Sequence, residues 1–150
     1  MTRPVDARSA GDLESLLAAV IAVLEQDPSW AYTDRDGLAA ALGGALQARG
    51  LPGELDAPLR AGGRAELLLS ALERPGQGVA VLPAAHGATD AIRARVRALA
   101  AHSEIAAVVI ASPRPRHRAL AGERGGIAVR VALLPPPSPS NIQVTDHLPP

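Results

Sequence analysis

Two continuous apolar runs, Val79-Ala80-Val81-Leu82 and the stretch from Ile105 to Ala111, limit what this chain can fold into more than any other feature. A half-exposed strand alternates apolar with polar residues, whereas a strand with no polar face needs cover on both sides. Between the runs, residues 89–102 place Ile92, Val96 and Leu99 on one face of a helix. Strand, helix and strand in that order make a right-handed parallel crossover. The expected class is therefore α/β, with a central sheet covered on both faces.

Neighbouring segments extend that unit. Residues 51–60 and 65–72 read as strands parted by Ala61-Gly62-Gly63, and Pro75-Gly76-Gln77-Gly78 separates them from the strand at 79–83. Ile127, Val129, Val131 and Leu133 alternate with smaller or charged residues, which suits a half-exposed strand at 127–134 near an edge. The sheet is expected to be mixed.

Two helices precede the strands. Residues 1–11 read as a polar lead, with Asp12 as N-cap of a helix over 12–27 that Asp27-Pro28 stops. Leu13, Leu16, Leu17, Val20, Ile21 and Leu24 recur at helical spacing, and Ala18, Ala19, Ala22 and Val23 fill most of the remaining surface. A helix apolar nearly all round is either central to the domain or covered outside by a partner subunit. The second helix starts at Thr33, where Asp36 completes a capping-box-like pair, and ends at Gly50 in the C′ position. Leu38, Leu42 and Leu46 form its apolar stripe, and Gly43-Gly44 permits close approach of another element.

These readings give one α/β domain over 1–134, comprising the helix at 12–27 and a core over 33–134, followed by a tail at 135–150. Pro135-Pro136-Pro137-Ser138-Pro139 favours polyproline II. Ile142 and Val144 lie in a segment able to pair as a short strand with a sheet edge, making the tail an inter-subunit arm; the bland alternative is a free C-terminus.

Composition excludes several chemistries. A chain of 150 residues suits one domain burying roughly 68–70% of its unfolded surface. Without cysteine there are no disulfides, thiol nucleophiles or Cys-based metal centres. All 15 basic residues are arginine, so there is neither a P-loop lysine nor a Schiff-base lysine. No apolar run approaches the roughly 20 residues of a membrane span, and the N-terminus does not open as a signal peptide. Gly76-Gln77-Gly78 precedes a strand instead of following one, so it reads as a hairpin turn and not a dinucleotide loop. No cofactor is expected.

Few polar residues remain as chemical candidates. His86 and Asp90, four apart beyond a parallel strand, are either a metal or acid–base pair, or a loop in which Thr89 or Asp90 caps the helix. His102 sits where a helix dipole favours it. Ser112 follows a buried strand, but Pro113 comes next and no base can be placed beside it from sequence, so no nucleophile is assigned. The arginines are more suggestive. Residues 1–75 carry 7 Arg against 11 acids, a net −4, and residues 76–150 carry 8 Arg against 4 acids, a net +4. Arg93 and Arg97 share a helix face, while Arg114, Arg116 and Arg118 cluster with His117 after the central strand. They suit phosphate, an acidic partner surface, or plain solvation. No aromatic side chain lies near them, which disfavours stacking on single strands.

The order of elements over 33–134, about two-thirds of the chain, resembles the α-β-β-β-α-β core of the PD-(D/E)xK nuclease superfamily, the restriction-endonuclease-like fold. Asp34 or Asp36 matches the acid of its first core helix. Gly63-Arg64-Ala65-Glu66-Leu67-Leu68-Leu69 is similar to the family's G-R-x-D-L-L-L strand, with Glu66 at the aspartate position. The following strand should carry E-x-K after its apolar run, but Leu82 stands for the glutamate and Ala84 for the lysine. Metal-dependent phosphodiester hydrolysis needs oxygen ligands and a group to align water. Leu82 and Ala84 supply neither, so the resemblance implies an inactive nuclease fold.

The expectation is therefore a non-enzymatic structural subunit of a larger assembly, homo-oligomeric or built with other proteins, of the kind common in the neck and tail of bacteriophage virions. Its location would be the virion if phage-derived and otherwise the cytoplasm. The alternative is a nuclease-derived protein binding nucleic acid through Arg93, Arg97, Arg114, Arg116 and Arg118. A divergent enzyme around His86 and Asp90 is the third reading.

Overall fold

The computed structural model describes residues 5–26, 37–70, 78–84, 88–124 and 127–135, without the side chains of residues 5–12, 70, 123 and 124. The elements are α1 (Val5–Gln26), α2 (Leu38–Ala48), β1 (Gly53–Pro58), β2 (Arg64–Ser70), β3 (Gly78–Pro83), α3 (Thr89–Ala100), β4 (Ile105–Ser112), a 3-10 turn (Pro115–Leu120), β5 (Gly122–Arg124) and β6 (Ile127–Leu133). The strands form one mixed sheet in the order β1-β2-β3-β4-β6-β5. β2 runs antiparallel to both neighbours, β3 and β6 run parallel to β4, and β5 is antiparallel to β6.

Alternate residues of β4 explain why its sequence lacks polarity. Ala107, Val109 and Ala111 join a core with Leu17, Val20 and Leu24 of α1 and Leu38, Leu42 and Leu46 of α2. Val108 and Ile110 point the other way, into a core with Ile92, Val96 and Leu99 of α3. The expected parallel crossover from β3 through α3 to β4 is present, and helices cover both faces.

Three local features depart from expectation. α1 begins at Val5, so Asp12 lies inside the helix and is not its N-cap. The only breaker in that stretch is Gly11, and one interior glycine costs about 1 kcal/mol, too little to stop a helix that continues into a packed segment. The helix is also one-sided: Leu17, Val20, Val23 and Leu24 are buried while Glu14, Ser15, Ala18, Ala22 and Glu25 are exposed. Alanines made it look apolar all round, but its outer face is small and polar, and no partner subunit is needed to cover it. Finally, the turn at 115–120 and the three-residue β5 were absent from the sequence reading, because Pro115, the arginines and Gly122 give no periodic signal.

α2 closes as expected. Gly50 takes φ +82°, Leu51 N–H donates to Leu46 O at 2.9 Å and Gly50 N–H to Gln47 O at 3.0 Å, the two bonds of a Schellman cap. The Thr33–Asp36 capping pair lies outside the described residues. Gly43 permits the close approach: a Cβ there would meet Leu67 Cδ1 at 3.4 Å and Leu55 Cδ2 at 3.5 Å.

The β1–β2 hairpin is bent at Asp56, the one non-glycine residue among those described with positive φ, at 53°. Pairing runs through Leu55↔Leu67, is interrupted at Asp56, and resumes at Ala57↔Ala65. Short polar side chains tolerate this backbone region better than most, and Arg64 Nη1 donates to Asp56 O at 2.9 Å and lies 3.3 Å from its Oδ2. The bend divides the hairpin: Leu67 and Leu69 join the core under α1 and α2, while Leu59 and Ala65 join the core under α3.

Candidate functional site

The nuclease-like positions come first. β2 pairs with β3 only over Leu68–Ser70 against Gly78–Ala80, so Glu66 is not paired with Leu82. Glu66 shares the α3-side face of β2 with Leu68 and reaches that helix, where Arg95 Nη2 donates to Glu66 Oε1 at 2.6 Å. Leu82 and Ala84 are 3% and 4% exposed within the α3-side core. A cation there would face a leucine and an alanine in place of oxygen ligands, and the motif carboxylate on β2, Glu66, is engaged by a guanidinium. Among the described residues no group of three or more His, Asp or Glu side chains could hold a metal ion. Asp34 and Asp36 lie outside the described residues.

The arginines divide by partner. Arg93 Nη1 lies 3.3 Å from Asp90 Oδ1 one turn earlier, which leaves Asp90 as a helix-surface ion-pair partner; His86 lies outside the described residues. Arg95, flanked by the two candidates in sequence, makes the contact to Glu66, and Arg130 Nη2 lies 3.3 Å from Glu14 Oε2 of α1. Both of these pairs join the basic half of the chain to the acidic half within one molecule, so part of the charge asymmetry is used internally. Arg97, Arg116 and Arg118 are exposed and make no ion pair among the described residues. Arg114 is partly buried.

Ser112 does have a partner that sequence reasoning missed. The 3-10 turn folds His117 back so that its Nδ1 lies 2.6 Å from Ser112 Oγ, with both residues 0% exposed. Arg114 N–H donates to the same oxygen at 3.0 Å. The available signal was Pro113 and Pro115, which fix φ on both sides of Arg114 and tighten the turn within a spacing of five. Burial and the nearby Arg116 and Arg114 guanidiniums hold the imidazole below its usual range, so it is neutral near pH 7. His117 Nε2 is buried with no hydrogen-bond partner among the described residues.

A second buried polar contact lies before β4. Glu104 Oε2 accepts the Arg60 backbone N–H at 2.6 Å, which ties the tip of the β1–β2 hairpin to the segment before β4. That hydrogen bond lowers the Glu104 carboxyl below its usual range, against the opposing effect of burial. His102 Nδ1 stands 3.9 Å from Glu104 Oε1. His102 therefore sits beside a buried carboxylate as well as near a helix end.

At the far side of the sheet, Leu133 N–H donates to Glu25 Oε2 at 2.9 Å beyond the short β5. The tail residues Ile142 and Val144 lie outside the described residues. No described helix is long and apolar enough to cross a membrane. Compared with known proteins, the chain matches no family model, no curated protein and no solved structure.

Proposed function

We propose that this chain is a non-catalytic structural subunit of a larger protein assembly, such as the neck or tail of a bacteriophage virion. In this reading a degenerate PD-(D/E)xK-like core is the packing module and residues 135–150 are an arm reaching a neighbouring subunit. One observation carries the reading: the positions that would hold a catalytic cation are an apolar core at Leu82 and Ala84, and Glu66 is bonded to Arg95. The succession α2-β1-β2-β3-α3-β4, with β2 antiparallel to its neighbours, supports the resemblance in topology. Fold alone does not dictate function, so the assembly role is tested by mass. Light scattering on the full-length chain is expected to give a mass well above 15.3 kDa. Cleavage of duplex DNA that depends on a divalent metal would overturn the non-catalytic part, and its survival in Glu66→Ala would also overturn the assignment of the motif strand.

A second reading, a duplex-binding protein derived from a nuclease, is favoured by the exposed guanidiniums of Arg97, Arg116 and Arg118, which make no ion pair among the described residues. Its signature is affinity that falls steeply with salt and is abolished by Arg97→Ala with Arg116→Ala and Arg118→Ala. Retained affinity in that variant counts against it.

A further inference from the structure

The Ser112–His117 pair joins two elements. Ser112 ends β4, and His117 belongs to the 3-10 turn packed beside β6, whose Leu120 fills the α3-side core. The Ser112 hydroxyl has one proton and already accepts a bond from Arg114 N–H. Its second lone pair could accept from Nδ1–H, but donation to His117 Nδ1, with the ring hydrogen on Nε2, is the arrangement that gives the hydroxyl proton an acceptor. The opposite assignment, with Nδ1–H donating, would leave the hydroxyl proton with no acceptor among the described residues. The turn is thus held by one buried side-chain bond, the burial of Leu120, and its own backbone bonds, including His117 N–H to Arg114 O at 2.9 Å and Ala121 N–H to Arg118 O at 3.1 Å.

Protonation of His117 would undo this arrangement twice over. Nδ1 would become a donor facing a hydroxyl that must then turn its own proton elsewhere. The new charge would also sit in a fully buried position with no hydrogen-bond partner at Nε2 among the described residues and with Arg114 and Arg116 nearby. The surrounding elements offer little compensation. β4 contributes Ser112, and α3 faces this core with Ile92, Val96 and Leu99, while Asp90, Arg93, Arg95 and Arg97 are exposed. On β6, Arg130 is directed to Glu14 of α1, on the opposite face. β5 carries Glu123 and Arg124, whose side chains lie outside the described set.

We infer that Ser112 and His117 form a proton-operated latch: the neutral pair holds residues 115–120 against the sheet, and acid releases them. Release swings Arg116 and Arg118 away from the domain and uncovers the rim of the core around Leu120. The latch operates in a monomer as well as in an assembly. Linkage sets its direction: when the closed state binds its proton less readily than the open one, opening grows by up to about tenfold per pH unit below the ordinary histidine range.

Amide hydrogen exchange of the full-length chain, corrected for intrinsic rates at pH 7.5 and 5.0, tests the latch. Protection of the amides at 117–121 is expected to fall by about tenfold or more, with β3 and β4 amides unchanged, and the fall is expected to vanish in His117→Gln. A wild-type turn whose protection is the same at both pH values overturns the proposal, as does a folded Gln variant that loses protection equally. If the Gln variant does not fold, the ¹⁵N shifts of the wild-type imidazole decide instead. An Nε2–H tautomer that gains its second proton only as protection is lost supports the latch; a ring that titrates freely with the turn still protected refutes it.

Discussion

Glu66 Oε1 and Arg95 Nη2 stand 2.6 Å apart, a contact that joins β2 to α3. Both side chains are partly exposed, so solvent screens the pair. A double-mutant cycle with Glu66→Ala and Arg95→Ala should give a coupling of about 0.2–1 kcal/mol in chemical denaturation. A coupling near zero would mean that the carboxylate is free for another partner.

Gly78 leaves no room for a side chain against β2. A Cβ there would lie 2.5 Å from Leu69 O and 2.9 Å from Leu68 Cδ1. Backbone cannot yield as a side-chain tip can, so Gly78→Ala should cost about 1–3 kcal/mol in urea unfolding. Gly43→Ala is the contrast: its Cβ meets only leucine tips at 3.4 Å and 3.5 Å. There the gain in helix propensity of about 1 kcal/mol should offset the contact. Equal losses for the two variants would contradict the packing described.

Removing the Ser112 hydroxyl strands the buried His117 Nδ1 and the partly buried Arg114 N–H. Each unmade bond costs about 1–3 kcal/mol, so Ser112→Ala should be clearly destabilising although it deletes a single atom. Ser112→Thr keeps the hydroxyl and should lose less if its extra methyl is accommodated. Thermal unfolding that leaves Ser112→Ala at the wild-type midpoint would show that the pair is not structural.

Glu104 is expected to contribute to the acid limb of stability. Its folded-state pKa is lowered by the Arg60 backbone N–H, so its contribution is fully present above the unfolded-state value and is lost as pH falls through the lower folded one. Glu104→Gln keeps an acceptor for Arg60 but cannot titrate. Its unfolding midpoint should therefore depend less on pH than the wild type's between about pH 5 and pH 3. Parallel curves for the two proteins would assign the acid sensitivity to other groups.

Much of the fold was legible because period and composition reported it locally. The unbroken apolarity of Ile105 to Ala111 required two covering layers, and α1 with α2 on one face and α3 on the other supply them. Gly50 announced its cap through its need for positive φ. What escaped depended on long-range geometry. Nothing in Asp56 marks it as a bend, since its backbone is held by Arg64 eight residues on. Alanine at 18 and 22 counted as apolar although a methyl group buries little, so α1 looked in need of cover on every side. Ser112 seemed isolated because a base five residues away is within reach only if the chain doubles back, as the 3-10 turn does.

Sedimentation of the full-length chain and of residues 1–134, side by side over a concentration series, tests the assembly role most directly. The full chain is expected to sediment as an oligomer, and the protein without its arm as a smaller, folded species. A single 15.3 kDa monomer for the full-length chain, unchanged in behaviour by the truncation, would contradict the assembly role.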